Sequence, residues 1–194
     1  LLVKTDALGN MEWNRTYEGC ANVDLVETFD GGFAIVGWTY DPGYNFLSLL
    51  SKTDAAGNIL WNKTYGITND SWKSVIQTSD RGYAIAGITF SEAEWHNGLL
   101  VKTDEFGNIE WNRTYGGMGY DIFMSLIATP ARGYVLAGST SNGVEGGFYD
   151  FWLVKTDILG AVPEYSSLLV TALVLTATTF TIINRKRLLR TRPH

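Results

Sequence analysis

The sequence predicts an all-β protein built from repeated four-stranded antiparallel sheets, followed by one helical segment near the C-terminus. Its 194 residues include 7 Trp, 10 Tyr, 9 Phe and 21 Gly but only 4 Pro, a balance that favours strands and turns. Two blocks of sequence also recur at a nearly constant spacing along residues 1–160. The 45% hydrophobic content excludes wholesale disorder.

The first recurring block contains the tripeptide Lys-Thr-Asp. It reads LVKTDALGNMEWNRTY, LSKTDAAGNILWNKTY and LVKTDEFGNIEWNRTY, with a shorter fourth copy, LVKTDILG. Its copies are spaced by 48, 50 and 53 residues, measured between Lys4, Lys52, Lys102 and Lys155. The second block lies between these copies and reads TFDGGFAIVGWT, TSDRGYAIAGIT and TPARGYVLAGST. A repeat of this length indicates an array of similar structural units.

Each unit divides into four short strands, which we call a, b, c and d. Strand b, GFAIVGWT and its copies, is almost continuously apolar and is expected to be buried on both faces, with its Ala and Gly placed where neighbouring sheets approach closely. Strand c ends in Lys-Thr-Asp, and its lysines are expected to be surface charges. Strand d alternates Trp with polar residues, so Trp13, Trp61 and Trp111 are expected to fill gaps between sheets.

The links between strands carry turn chemistry. The c–d link, Asp-x-x-Gly-Asn, predicts a hairpin in which Asp caps the turn and Gly supplies a positive φ. The a–b link has a similar signature at Asp30-Gly31-Gly32 and Asp80-Arg81-Gly82. The repeated aspartates could instead be calcium ligands, but acidic neighbours at alternate positions are missing, which favours capping.

Four strands in a unit of about 50 residues is the length of one blade of a β-propeller. The repeat region is predicted over residues 1–160, with units at about 20–65, 70–115 and 120–160 and the c–d strands of a preceding unit at 1–19. Since a closed propeller needs at least four blades, about 200 residues, we expect a partial, open arc that belongs to a longer protein.

The repeat resembles a known group of proteins. Asp30-Gly31-Gly32-Phe33 is similar to an Asp-Gly-Gly-Tyr signature, and the segment from Trp111 to Gly117 to a Trp-x-x-Thr-Tyr-Gly-Gly signature. Both signatures occur in the β-propeller repeat proteins of bacterial and archaeal cell surfaces. The resemblance covers residues 1–160 and implies the same fold and a location at the cell surface.

The C-terminus has the features of a membrane anchor. The 20 residues from Tyr165 to Asn184 carry no charge, and as a helix they would span about 30 Å, the thickness of the hydrocarbon core. We predict a junction at 161–165, a transmembrane helix at 166–184 and a basic tail at 185–194. A buried helix of a globular domain is the alternative.

Charge asymmetry orients this predicted span. All 20 acidic residues and 10 of the 15 basic ones lie in residues 1–164, which therefore carry −10, whereas the tail carries +5. The positive-inside rule places the tail in the cytoplasm and the body outside. Pro163-Glu164, followed by an apolar span and a basic cluster, resembles the C-terminal sorting signals that exosortase- and archaeosortase-type enzymes process. An ordinary single-span anchor is the alternative.

Residues for catalysis, metal binding or cofactor binding are scarce. The two histidines, His96 and His194, offer no triad or His-rich metal site, and Cys20 is the single cysteine. No Gly-rich phosphate loop is present. The acidic body argues against nucleic-acid binding. The sequence therefore predicts no enzyme activity, no metal and no cofactor.

The b–c loops are the most variable part of the repeat, and in an up-and-down sheet they share one end with the d–a links. The hairpin turns at the other end have prescribed Asp and Gly and are expected to leave little freedom to shape a pocket. Aromatic loop residues suit flat ligands such as sugar rings, or protein partners, although they could also pack on their own sheets. The candidate ligand-face residues are Tyr40, Tyr44, Trp72, Phe90, Trp95, His96, Tyr120, Phe148 and Tyr149.

Four Asn-x-Ser/Thr sequons are candidate glycosylation sites of an exported chain. They begin at Asn14, Asn62, Asn69 and Asn112, and three of them occupy the same place in strand d. Three function classes remain. We expect a membrane-anchored binding or adhesion module at the cell surface. The alternatives are a structural cell-envelope repeat protein, or the C-terminal part of a surface glycan-active enzyme whose catalytic residues lie upstream.

Overall fold

The computed structural model describes residues 1–18, 20–43, 46–65, 70–91, 95–141 and 149–162. The chain divides into two units, Leu1–Val162 and Pro163–His194. The second unit lies outside the described residues, and with it Pro163, Glu164 and the predicted span and tail. No helix that could cross a membrane occurs in the described part. Its regular structure consists of strands in antiparallel sheets, which confirms the all-β prediction.

A hairpin and a complete four-stranded sheet form the N-terminal part of the first unit. The hairpin pairs β1 (Leu2–Thr5) with β2 (Met11–Arg15). The first sheet has the strand order β3-β4-β5-β6, with each strand antiparallel to the next. These strands are β3 (Cys20–Glu27), β4 (Phe33–Tyr40), β5 (Phe46–Thr53) and β6 (Ile59–Tyr65), which correspond to the predicted strands a to d.

The second sheet repeats this order, and the third sheet contains strands a to c. The strands of the second are β7 (Ser71–Gln77), β8 (Tyr83–Ser91), β9 (Trp95–Thr103) and β10 (Ile109–Tyr115), and the short β11 (Gly119–Tyr120) pairs in parallel with the start of β9. The third has β12 (Ile122–Ala128), β13 (Tyr134–Thr140) and β14 (Asp150–Lys155). The described sheets do not close into a ring.

Each c–d turn is closed by its aspartate. In the first of these turns Asp6 accepts hydrogen bonds from the backbone N–H groups of Leu8 and Asn10 and from the Asn10 side chain, each at 2.9 Å. The Asn10 side chain lowers the pKa of Asp6. Gly9 has φ 84°, a left-handed conformation that favours glycine. The capping interpretation of the repeated aspartates is confirmed.

Two hydrophobic cores lie between successive sheets. Val36 and Leu50 of the first sheet pack with Val75 and Leu99 of the second. On the opposite face of the second sheet, Ala84, Ala86 and Leu100 pack with side chains of the third, among them Phe123, Leu126 and Leu136. A continuously apolar strand b is therefore required, because each inner sheet has a neighbour on both sides.

The glycine of strand b is required by close contacts within its own sheet, not by contacts with a neighbouring sheet. A Cβ on Gly87 would lie 2.3 Å from the carbonyl oxygen of Ser71, on strand a of the same sheet. The register of β7 against β8 shifts between Trp72 and Ser74, which brings that carbonyl inward. The expectation of close sheet-to-sheet approach holds for the alanines, which lie in the core between sheets, but is wrong for this glycine.

Strand d attaches each sheet to the next through one Trp and one Tyr. Trp61 packs edge-on to Tyr83 of the second sheet at 6.2 Å, and the Tyr65 hydroxyl donates to the carbonyl oxygen of Gly107 in the c–d turn of that sheet. The same hydroxyl-to-turn bond joins Tyr17 to Gly57 and Tyr115 to Gly160. The tryptophans therefore fill the gaps between sheets, as predicted.

Replacing Tyr65 with phenylalanine should lower the free energy of unfolding by about 1 to 2 kcal/mol, because the Gly107 carbonyl loses its partner while the ring remains in place. Urea denaturation followed by tryptophan fluorescence measures this change. Tyr40→Phe is the matched control, since Tyr40 is exposed and should change stability by less than about 0.5 kcal/mol. Equal effects of the two substitutions would contradict the role of this hydrogen bond.

Two strand c lysines contradict their predicted surface position. Lys52 and Lys102 are 5% and 4% exposed. The ammonium of Lys52 contacts Asp30 at 3.0 Å, whereas that of Lys102 contacts both Asp80 and Glu110 at 2.9 Å. Each ammonium lies at the a–b turn of its own sheet. Lys155 is exposed as expected, and its a–b turn has Ala131 in place of the aspartate.

Candidate functional site

The two ends of each sheet differ in what they carry. We call the end with the b–c and d–a connections the loop end, and the end with the a–b and c–d turns the hairpin end. The sequence predicted a ligand face at the loop end. Among the described residues, side chains that could contact a ligand occur at both ends.

Four of the predicted aromatic residues form one continuous row at the loop end. The ring of Phe90 lies 4.4 Å from that of His96, His96 lies 4.7 Å from Tyr120, and Tyr120 lies 5.7 Å from Tyr149. We call these four residues the aromatic row. They come from β8, β9, β11 and the residue before β14, so the row connects the second and third sheets.

The row is positioned by a buried carboxylate that sequence reasoning missed. Asp121 is 2% exposed; its carboxylate accepts hydrogen bonds from the Thr140 hydroxyl and from the Gly117 N–H, the latter at 3.0 Å. Its own N–H donates to the His96 carbonyl at 2.8 Å. These bonds hold β11 beside β9, where Tyr120 pairs with His96. The sequence contained one indication of this residue, because the repeat has an aspartate at the same place in two units. Asp70 stands two residues before Trp72, as Asp121 stands two residues before Phe123.

His96 gives the row one polar atom with unused bonding capacity. Its Nδ1 is buried and has no hydrogen-bond partner in the described part of the chain. A buried ring nitrogen without a partner costs free energy. Because this atom is not accessible from outside, a ligand would contact the row through its ring faces.

The other ligand-face candidates do not join the row. Tyr40 is exposed and forms a separate patch with Trp38 and Phe46, at ring distances of 5.3 and 6.2 Å. Trp72 is 2% exposed and packs against Tyr65 in the core between the first and second sheets, so its assignment to the ligand face is wrong. The register shift between Trp72 and Ser74 places the Trp72 side chain on the same face of β7 as Val75, which packs in this core. Tyr44, Phe148 and the Trp95 side chain lie outside the described residues.

Three of the four sequon asparagines are at the surface. Asn14, Asn62 and Asn112 are exposed on strand d, each directly after a partly buried Trp, whereas Asn69 lies outside the described residues. Among the described side chains, no group of three or more His, Cys, Asp or Glu is placed to hold a metal ion.

The hairpin end holds a cleft between the first and second sheets, contrary to the expectation that its short turns cannot shape one. It has a volume of about 390 Å³, and its walls include Phe29, Trp61, Tyr83 and Phe106. The turns keep their Asp and Gly, but the two residues between them vary, and Glu105-Phe106 stands where the preceding turn has Ala55-Ala56. This variation shapes the cleft.

Asp30 in this cleft is held in its ionised form. The hydrogen bond from the Thr28 hydroxyl and the bond from Lys52 lower the pKa of Asp30 from 3.8 to about 2. Because the pKa is lower in the folded state, its contribution to stability is present above pH 3.8 and is lost as the pH falls toward 2.

We therefore expect the urea midpoint to fall between pH 4 and pH 2, and to fall less steeply in an Asp30→Asn variant, which has no carboxylate to protonate. Measuring urea midpoints of both proteins at pH 5, 4, 3 and 2 tests this expectation. Parallel curves for the two proteins would show that Asp30 does not couple stability to pH.

Comparisons with known proteins found a structural similarity but no matching family. No family model and no curated protein sequence matches the chain. A protein of unknown function from Bacteroides caccae has a similar solved structure, with a TM-score of 0.35 and 12% identity over 81% of this chain and 71% of that one.

Proposed function

We propose that the chain is a membrane-anchored, extracytoplasmic binding module of the cell surface, and that its ligand contacts the aromatic row. The observation that carries this proposal is the continuous contact of Phe90, His96, Tyr120 and Tyr149 across two sheets. Three of these four side chains come from strands, and holding such side chains in place costs little entropy when a ligand binds.

The geometry of the row favours a flat ligand. Tyr149 is 62% exposed at one end of the row and offers an aromatic ring to solvent. The Nδ1 of His96 is buried, so a ligand contacts the row through ring faces. A sugar ring presents an apolar face to such a row, and an aromatic side chain of a partner protein presents a ring face.

We further propose that the sheets are blades of a β-propeller. In the second sheet Ile76 and Leu100 pack against the core shared with the third sheet. The corresponding residues of the third sheet, Ile127 and Leu153, are exposed. The third sheet thus presents the same apolar face that the second uses to hold its neighbour, which suits one more blade of the same repeat.

The proposed membrane anchor and surface location rest on the uncharged segment 165–184 and the +5 tail. Exposure of Asn14, Asn62 and Asn112 is compatible with the proposed glycosylation. Protease treatment of intact cells should remove the body and leave the tail protected. A body that is cleaved only after lysis would contradict this topology.

The binding site can be tested by comparing two exposed tyrosines at the loop end. A glycan array and a pull-down of surface proteins, both with the full chain, would identify the ligand class. Tyr149→Ala should weaken binding at least tenfold, which corresponds to about 1.4 kcal/mol. Tyr40→Ala is the matched control, because Tyr40 is exposed on the separate patch. Binding that survives Tyr149→Ala, or is lost equally in both variants, would rule out the aromatic row.

A further inference from the structure

The hairpin end exposes apolar side chains where turns usually carry polar ones. Three of the four c–d turns have a large apolar residue two positions after the capping aspartate: Leu8, Phe106 and Leu159, which are 87%, 61% and 58% exposed. Phe29 is also exposed, in the a–b turn of the first sheet. Exposed apolar groups concentrated at one end of a protein mark an interaction surface.

The described chain also leaves the body at this end. The last c–d turn is closed by the Asp157 N–H, which donates to the Ala161 carbonyl at 2.8 Å, and Val162 follows directly. Only residues 163–165 separate Val162 from the predicted span, and a fully extended chain covers at most about 14 Å over these four steps. The headgroup layer itself is roughly 5 to 8 Å thick on each side of the hydrocarbon core.

We propose that the hairpin end lies against the outer surface of the membrane, with Phe106 and Leu159 reaching the headgroup layer. This inference rests on the proposed anchor, since the short connection limits how far the third sheet can stand from the lipid. Leucine and phenylalanine side chains gain free energy when they leave water for this layer. In this arrangement the membrane surface covers the apolar side chains of the turns.

The charges at this end are of both signs. The c–d turns carry the capping aspartates Asp6, Asp54, Asp104 and Asp157, whereas the a–b turns carry the exposed Arg81 and Arg132, and Lys155 is exposed at the same end. An end with mixed charges has no electrostatic preference for an anionic surface, so the partner is a zwitterionic lipid surface. In this orientation the loop end faces away from the membrane, which leaves the aromatic row accessible to ligands from outside.

Quenching of site-specific labels measures this orientation directly. We would place the full chain in phosphatidylcholine vesicles containing lipids with a nitroxide on the headgroup. A Cys20→Ser background allows one fluorescent label per protein, at Phe106→Cys or Leu159→Cys at the hairpin end and at Tyr40→Cys or Tyr149→Cys at the loop end. All four positions are exposed, so the labels should not disturb the core. We expect at least threefold stronger quenching at 106 and 159 than at 40 and 149.

The outcomes separate this inference from the anchor on which it rests. Resistance to carbonate extraction together with equal quenching at both ends would leave the anchor standing and overturn the orientation. Extraction by carbonate would overturn the anchor and the orientation together. Replacing part of the phosphatidylcholine with phosphatidylglycerol should not strengthen quenching at 106, and quenching at least twofold stronger would overturn the assignment to a zwitterionic surface.

Discussion

Replacing Asp30 with alanine should lower the free energy of unfolding by about 2 kcal/mol, because the buried ammonium of Lys52 loses a charged hydrogen-bond partner that is itself mostly exposed. The Lys52 side chain is 7% exposed, and Asp30 is its one carboxylate partner among the described residues. What remains is the Thr53 carbonyl, to which the ammonium donates at 2.7 Å. A single neutral acceptor does not offset the loss of hydration of a buried charge.

The repeat itself provides the matched control for this prediction. Asp80→Ala removes the equivalent carboxylate from Lys102, but Glu110 stays within 2.9 Å of that ammonium. The two aspartates make the same bonds to a threonine hydroxyl and a glycine N–H, so those losses cancel in the comparison. Asp80→Ala should therefore cost about half as much as Asp30→Ala when both are measured by urea unfolding. Equal losses would show that the second carboxylate does not stabilise Lys102.

Replacing Trp61 with alanine should destabilise the protein by about 3 kcal/mol, a value at the lower end for a large aromatic residue in a core. The ring packs against Tyr83, and a Cβ on Gly107 would lie 3.0 Å from it, so its removal leaves a gap between the first and second sheets. Trp61 is only partly buried, which keeps the effect below the maximum for a buried Trp.

The neighbouring residue shows whether this loss comes from packing between sheets. Asn62 follows Trp61 on strand d and is exposed, because successive side chains of a strand point to opposite faces. Asn62→Ala should change stability by less than about 0.5 kcal/mol, as surface substitutions usually do. If Trp61→Ala were as mild as Asn62→Ala, the attachment of one sheet to the next by strand d would be wrong.

The strands and turns were predictable because their causes are local. The order of strands a to d, the Asp-capped c–d turns and the alternation of strand d all follow from residues within about ten positions of one another. Period-two alternation decides which side chains of strand d face the neighbouring sheet, and glycine at Gly57 or Gly107 decides where a turn adopts positive φ. The internal repeat then carried the same assignment from one unit to the next.

The position of particular side chains was decided by contacts between sheets, which the sequence does not encode locally. The sequence predicted that Lys52 and Lys102 are surface charges, but the structure buries both and pairs each ammonium with an aspartate of the a–b turn. The sequence predicted that Trp72 is a loop aromatic, but in the structure β7 places its side chain in the core.

The candidate site, too, was predictable in part from the sequence and in part only from the folded structure. The sequence identified Phe90, His96, Tyr120 and Tyr149 as members of a variable loop end, because turn chemistry and repeat comparison set them apart. That they contact one another depends on Asp121, whose buried carboxylate holds β11 beside β9. A buried polar group acts through partners that are distant in sequence, so its effect appears only when the chain is folded.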